Sequence, residues 1–232
     1  MEIKKIEDGE KLHLTNDGKL SLFFLGVGSA FSKLHYQTNL LIIKGNDHLL
    51  IDCGTLAPIA LWKYGCPIIN ISNYLITHSH ADHIGGLEEA SLMGRYVTRK
   101  KPRMIITNEY EHVLWNDSLK GGIKYNEKNG GKGLKFSDVF ESVRPEFLGT
   151  VPRDNWITSV GSIKIRLFRT MHIPDSLKSW SEAFLSYGVI IDDRILFTSD
   201  TQYDPDMIYD FMKLYPIEFI FHDCQFFKGG VH

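Results

Sequence analysis

The sequence is short of cysteine, of charge imbalance and of long apolar runs. Its three cysteines, Cys53, Cys66 and Cys224, have no paired spacing. They suggest no disulfide framework and read as reduced core residues of a cytoplasmic protein. The formal net charge is −2, so no excess of either sign points to bulk nucleic-acid or membrane binding. No apolar run approaches the ~18 residues of a membrane-spanning helix. The opening stretch, MEIKKIEDGEKLHL, is charged and lacks the apolar segment of a signal peptide. What remains is an ordinary hydrophobic content of 43% over 232 residues. That fits a single domain over 1–232.

The chemistry concentrates in one stretch. The apolar run Tyr74-Leu75-Ile76-Thr77 reads as a short buried strand, and it ends in His78-Ser79-His80-Ala81-Asp82-His83. In extended backbone, positions i and i+2 point the same way, so His78 and His80 can converge on one point. After the turn, Asp82 and His83 can face a second point. Imidazole and carboxylate are ligands for borderline divalent metals such as zinc or manganese. Gly85 and Gly86 let the backbone turn tightly into the next helix.

Along the rest of the chain, residues 1–20 alternate apolar and charged side chains around Asp8-Gly9 and Asn16-Asp17-Gly18. An opening β-ribbon is expected there. A strand from Ser21 runs into the Gly-rich segment Leu25-Gly26-Val27-Gly28-Ser29, either a phosphate cradle or a tight turn past a buried site. The segment NLLIIK-GND-HLLIDCG reads as strand, turn, strand, ending at Asp52. Residues 56–65, 87–100 and 109–119 read as helices. Residues 121–136, with five glycines and four lysines, read as a flexible loop. Ile163–Arg169 alternates strictly as a strand and delivers His172 to its end. A hairpin over 186–198 feeds Ser199-Asp200-Thr201, and the strand IEFIF leads to His222-Asp223-Cys224.

The HxHxDH run resembles the signature of the metallo-β-lactamase superfamily. FLGVGSAF resembles the opening of the branch that holds tRNase Z and related phosphodiesterases. The resemblance implies an α/β fold, an αββα sandwich of two facing mixed β-sheets flanked by helices. It also implies two divalent metals, Zn2+ or Mn2+. His78, His80 and His172 would hold one, and Asp82 and His83 the other. Asp200, in an SDT segment, would bridge them, and Asp52 would orient metal ligands through hydrogen bonds. Capping of the following helix is the other role open to Asp52. Two-metal hydrolytic sites keep their ions ~3.5–4 Å apart and lower the pKa of bound water to about 7. Asp82 is also expected to orient the attacking group. The superfamily's late histidine ligand has no counterpart before His232, so the chain is expected to be truncated at its C-terminus or to draw that ligand from elsewhere.

By the same resemblance, His222-Asp223-Cys224 is similar to the HEA(T) segment of the tRNase Z branch. Asp223 would orient His232, and His232 would protonate the leaving oxygen. The interval from His172 to Asp200 leaves no room for the arm that tRNase Z inserts there. The run KLSLFFLGVGSAFSKLHYQTNLLI, with HLLIDCGT and ITHSHADHIGGLEE, resembles the anti-Pycsar phosphodiesterases of phages and bacteria. That implies a homodimeric, cytoplasmic enzyme hydrolysing 3′,5′-cyclic mononucleotides: cCMP, cUMP, cAMP and cGMP. No membrane or stable nucleic-acid partner is expected. Candidates for a base pocket are Tyr36, Trp115, Tyr125 and Trp180. A tRNase Z-like endonuclease, another small-molecule phosphodiesterase, a lactone or β-lactam hydrolase and a silent nucleotide-sequestering protein are the competing readings. The absence of an export signal counts against a periplasmic β-lactamase.

Overall fold

The structure, a computed structural model, describes residues 2–4, 6, 9–128, 132–174 and 176–224. The chain divides into two compact units, residues 1–143 and 144–232.

Unit 1 is built on a six-stranded mixed sheet of β1 (Ser21–Gly26), β2 (Asn39–Lys44), β3 (Asp47–Ile51), β4 (Asn73–Leu75), β5 (Arg103–Ile105) and β6 (Glu141–Val143). The strands neighbour one another in chain order. The first three form an antiparallel meander, and β3 to β6 run parallel. Leu40–Ile43 of β2 is a continuous apolar run, and all four residues are buried. That is the pattern of a strand covered on both faces. The two-residue link to β3 places Gly45 at φ +61°, a conformation glycine adopts without penalty.

Parallel strands need crossovers, and helices supply them. α1 (Ala57–Lys63) has Pro58 in its first turn and stops before Gly65 at φ +68°. α2 (Ala81–Ile84) and α3 (Leu87–Met93) link β4 to β5. The helix of α3 widens into a π-helical turn over Gly94–Thr98, which ends at Arg99 in the left-handed region, φ +58°. α4 (Asn108–Val113) is capped by Thr107, whose hydroxyl accepts from the Tyr110 N–H. It passes through a second π turn into α5 (Lys120–Ile123), and α6 (Phe136–Val139) follows.

Two expectations change here. Residues 9–20 form no strand, because Asn16 captures the local backbone. Its side-chain oxygen accepts from the Gly18 and Gly45 N–H groups, and its amide donates to the Lys19 carbonyl. Such bonds compete with a sheet ladder. The segment expected as a flexible loop from 121 is helical as far as Asn126. Residues 129–131 of that stretch lie outside the described residues.

Unit 2 carries β7 (Glu146–Gly149), β8 (Asn155–Val160), β9 (Ile163–Arg169), β10 (Tyr187–Ile191), β11 (Ile195–Phe197) and β12 (Phe219–Phe221). These form a second six-stranded mixed sheet, again in chain order. Only the β11–β12 pair is parallel. The β10–β11 turn puts Asp192 and Asp193 at positive φ. Asp193 then ion-pairs with Lys164 and Arg166 of β9. α7 (Pro205–Leu214) lays Met207 and Phe211 on Phe168, Ile190 and Leu196 of the sheet. The Phe168 and Phe211 rings are 4.4 Å apart. Asp204 caps this helix, accepting from the Met207 N–H, and pairs with the buried Arg153 at 2.9 Å. Among the described residues, no helix is long and apolar enough to cross a membrane.

Candidate metal centre

In unit 1 the parallel strand β4 runs out at Leu75, and its continuation carries Thr77, His78, His80, Asp82 and His83. Beneath them lies Asp52, only 1% exposed, at φ +64° just past β3. A left-handed aspartate costs backbone energy, and the turn aims its carboxylate at the ligand loop. That carboxylate accepts from the Thr77 N–H at 2.8 Å, the Thr77 hydroxyl at 2.8 Å and His83 Nδ1 at 2.7 Å. Burial raises the Asp52 carboxyl above its ordinary range, and His83 and Thr77 oppose that shift.

These bonds fix two tautomers. With its proton committed to Asp52, the Thr77 hydroxyl accepts from His78 Nδ1 at 3.1 Å. His78 and His83 therefore both carry their proton on Nδ1, and Nε2 is the ring nitrogen able to bind a metal. His78 Nε2 lies 3.0 Å from His80 Nδ1, and His83 Nε2 lies 3.3 Å from an Asp82 oxygen. Two ligand atoms on one tetrahedral zinc stand ~3.3 Å apart, given bonds of ~2.0–2.1 Å. The donor set of unit 1 fits a divalent ion.

The close packing behind this loop depends on Gly54. A Cβ there would sit 1.9 Å from the Asp82 carbonyl oxygen. Asn39 locks the contact. Its oxygen accepts from the Gly54 N–H and its amide donates to the Asp82 carbonyl at 3.1 Å.

In unit 2 the end of β9 brings His172, 1% exposed, near Asp200. The His172 Nε2 to Asp200 carboxylate separation is 3.7 Å. That is too long for a hydrogen bond but within the reach of one shared cation. Ser199, at φ +52°, turns the chain after β11. The parallel β11–β12 pairing sets Phe197 beside Phe221. It thereby carries His222 Nδ1 to within 3.0 Å of the Thr198 hydroxyl, and the Asp223 N–H donates to the same oxygen at 3.4 Å. His232 lies outside the described residues.

Of the aromatics expected to read a base, Tyr36 lies under Lys63 Nζ and Trp115 meets Phe136 edge-on. Tyr125 is 76% exposed, and the Arg169 guanidinium lies over the Trp180 ring, 6.0 Å from its centroid. The sequence reading missed Thr77 and Asn39. Thr77 had a faint signal, a hydroxyl residue between a buried strand and the first histidine. Asn39 had none.

Solved structures share this architecture at low identity. The metallo-β-lactamase fold protein YhfI from Bacillus subtilis superposes with a TM-score of 0.58 at 15% identity, covering 82% of this chain and 67% of that one. A diphosphatase from the PhnP family gives 0.54 at 15% identity, covering 87% and 73%. The short form of human tRNase Z gives 0.51 at 18% identity, covering 79% and 71%. The fold is the metallo-β-lactamase fold. In sequence, a protein of Bacillus phage 010DV004 described as anti-Pycsar protein Apyc1 is 36% identical over 218 residues, covering 92% of this chain and 80% of the relative. A relative of the same description from Paenibacillus sp. (strain J14) is 33% identical over 214 residues, again covering 92% and 80%. The family model described as anti-Pycsar protein Apyc1 matches residues 20–232. With a match of that extent and relatives this similar on both phage and bacterial genomes, the chain belongs to the anti-Pycsar Apyc1 family.

Proposed function

We propose that the protein is a metal-dependent phosphodiesterase that opens the ring of 3′,5′-cyclic mononucleotides, cCMP, cUMP, cAMP and cGMP, and so counters Pycsar signalling inside the host cell. The observation that carries this reading is the Asp52–Thr77 network, which presents Nε2 of both His78 and His83 beside His80 and Asp82. Membership of the anti-Pycsar family supports the choice of substrate class.

In this reading His78, His80 and His172 would hold one divalent ion and Asp82 and His83 a second, with Asp200 available to both. Zinc suits the imidazole-rich set, and manganese is the alternative. When bound, such ions lower the pKa of water and neutralise the charge that builds on a phosphodiester during attack. The residues of the chain do the rest. Asp52 and Thr77 hold the two imidazoles in orientation. Asp82 orients the attacking water with its second oxygen. Asp223 orients His232, which gives a proton to the departing ribose oxygen. A homodimer is part of the proposal.

The test combines a metal count, a hydrolysis panel and light scattering on one purified sample. The panel holds the four cyclic mononucleotides and a pre-tRNA, with and without chelator. About two metals per chain and chelator-sensitive ring opening are expected, from a particle of twice the chain mass. Cleavage of the pre-tRNA alone would replace the reading with an endonuclease. Tight binding of unhydrolysed nucleotide would replace it with sequestration. His80→Ala should lose metal and activity while the fold persists, since His80 is exposed. Asp200→Asn should weaken both ions together.

A further inference from the structure

Two loops of unit 2 carry its metal-type donors, and one amide side chain ties them together. Gln202 stands two residues after Asp200. Its Nε2 donates to the carbonyl of His172 at 2.9 Å and to that of Pro174 at 2.7 Å. Its oxygen accepts from the Leu177 N–H at 3.3 Å. Its own backbone N–H donates to the Met171 carbonyl at 2.6 Å. The Thr201 hydroxyl accepts from the Met171 N–H at 3.3 Å. Every residue from 171 to 174 except Ile173 is therefore bonded to residue 201 or 202. The His172 carbonyl is anchored by a side chain on the strand exit that bears Asp200.

The far end of the same loop has a separate anchor. The Ile173 carbonyl accepts from the Phe184 N–H at 2.7 Å, and the buried Arg169 donates to the carbonyls of Ala183 and Phe184 at 2.8 and 3.1 Å. Among the described residues, the Gln202 amide and the Thr201 hydroxyl join the two donor-bearing segments, and the Thr170 hydroxyl adds a longer bond to the Asp200 carbonyl at 3.4 Å.

We propose that Gln202 is a positioning residue for metal binding, whose amide sets the separation of His172 and Asp200. The proposal rests on the reading of those two residues as ligands. An amide is required because one group must donate to two carbonyls and accept from an N–H at once. A carboxylate of the same shape has no proton for either carbonyl and would face both oxygens with negative charge. The loop would then shift away, and the fixed donor spacing would go with it. Outer partners of this kind are worth about 10–100-fold in metal affinity.

A matched control exists in the same unit. The Asn155 amide donates to the carbonyls of Gly149, Val151 and Arg153. It clamps a loop in the same way but bonds to neither donor segment. The experiment is a cobalt(II) titration against a competing chelator, on full-length wild type, Gln202→Glu, Gln202→Ala, Asn155→Asp and His172→Ala. The visible spectrum of bound cobalt and the Tm of the metal-free protein are recorded for each. Both Gln202 variants should bind cobalt about 10–100-fold more weakly, with an altered spectrum. Asn155→Asp should lower the metal-free Tm at least as much and leave the affinity within about twofold of wild type, since it touches no donor loop.

Wild-type affinity and spectrum in the Gln202 variants would overturn the proposal. So would an equal loss of affinity in Asn155→Asp, which would make the effect one of general loosening. If Gln202→Glu does not fold, Gln202→Ala decides alone, because it removes the donors without adding charge. Unchanged binding in His172→Ala would reject the ligand reading itself. Weakened binding there with intact binding in the Gln202 variants would reject Gln202 only.

Discussion

Replacing Asp52 separates what the aspartate does for stability from what it does for metal binding. Asp52→Ala would strand three buried donors, the Thr77 N–H, the Thr77 O–H and His83 Nδ1–H. At ~1–3 kcal/mol for each unsatisfied group the cost is roughly 3–9 kcal/mol, comparable with a whole domain's stability of ~5–15 kcal/mol. Asp52→Asn is different. Its oxygen can still accept from Thr77, and its amide can donate to His83, provided the imidazole moves its proton from Nδ1 to Nε2. Charge-assisted bonds become neutral ones, a loss of about 1–3 kcal/mol in all. His83 Nε2, the nitrogen proposed to bind the metal, would then carry a proton.

Asp52→Asn should therefore fold, and bind zinc about 10–100-fold more weakly. Urea unfolding reads the first effect and zinc titration against a chelator reads the second. Long-range proton–nitrogen correlation on the metal-free protein reads the tautomer of His83 directly. Zinc binding at the wild-type level, or an imidazole still protonated on Nδ1, would refute the argument that Asp52 fixes this tautomer.

Three further outcomes are expected. Phe211→Ala should cost unit 2 ~3–5 kcal/mol in urea unfolding, because the ring is buried against Phe168, and a loss below about 1 kcal/mol would show that α7 is not held there. Gly54→Ala should cost ~1–3 kcal/mol or more from overpacking, as its Cβ would meet a backbone oxygen 1.9 Å away; a variant with wild-type Tm and metal affinity would disprove that close approach. In thiol labelling of the native protein, Cys224 should react first, being exposed, while Cys53 and Cys66 are buried. Burial also pushes the Cys53 thiol far above its usual range and raises that of Cys66, so rapid modification of three thiols before urea is added would contradict the packing around β3 and α1.

Much of the fold was legible because its signals are short-range. The alternation IKIRLFR marks β9 to the residue. The apolar runs either side of Gly45-Asn46 mark the β2–β3 hairpin. The HxHxDH run falls at a strand end, as its apolar approach predicts. Two elements went unread although their signals were present. α7 begins with Asp204-Pro205, an N-cap followed by a first-turn proline, and then repeats apolar residues at helical spacing. β8 has the β-branched and aromatic content of a strand. The opening ribbon failed because one side chain, Asn16, outcompeted ladder bonds for the local backbone. The loop from 121 failed because Gly121 and Gly122 sit inside α5, where glycine is disfavoured but supported by the helix before it. In the site, metal-type residues are visible by type. Their hydrogen-bonding partners are not, since Asn39, Thr77 and Gln202 bond to residues as much as 43 positions distant.

The order of strands has a consequence in time. Each sheet is assembled from neighbours in sequence, and every strand of the first has been made once residue 143 is synthesised. At roughly 5–20 residues per second, Asp200 follows about 3–11 s later. During that interval the nascent chain displays His78, His80, Asp82 and His83 without His172 and Asp200. On the proposed ligand set, an ion that meets the chain then would find four donors of six, so the metal first acquired would be chosen by what four residues can hold and the metal finally kept by what six can.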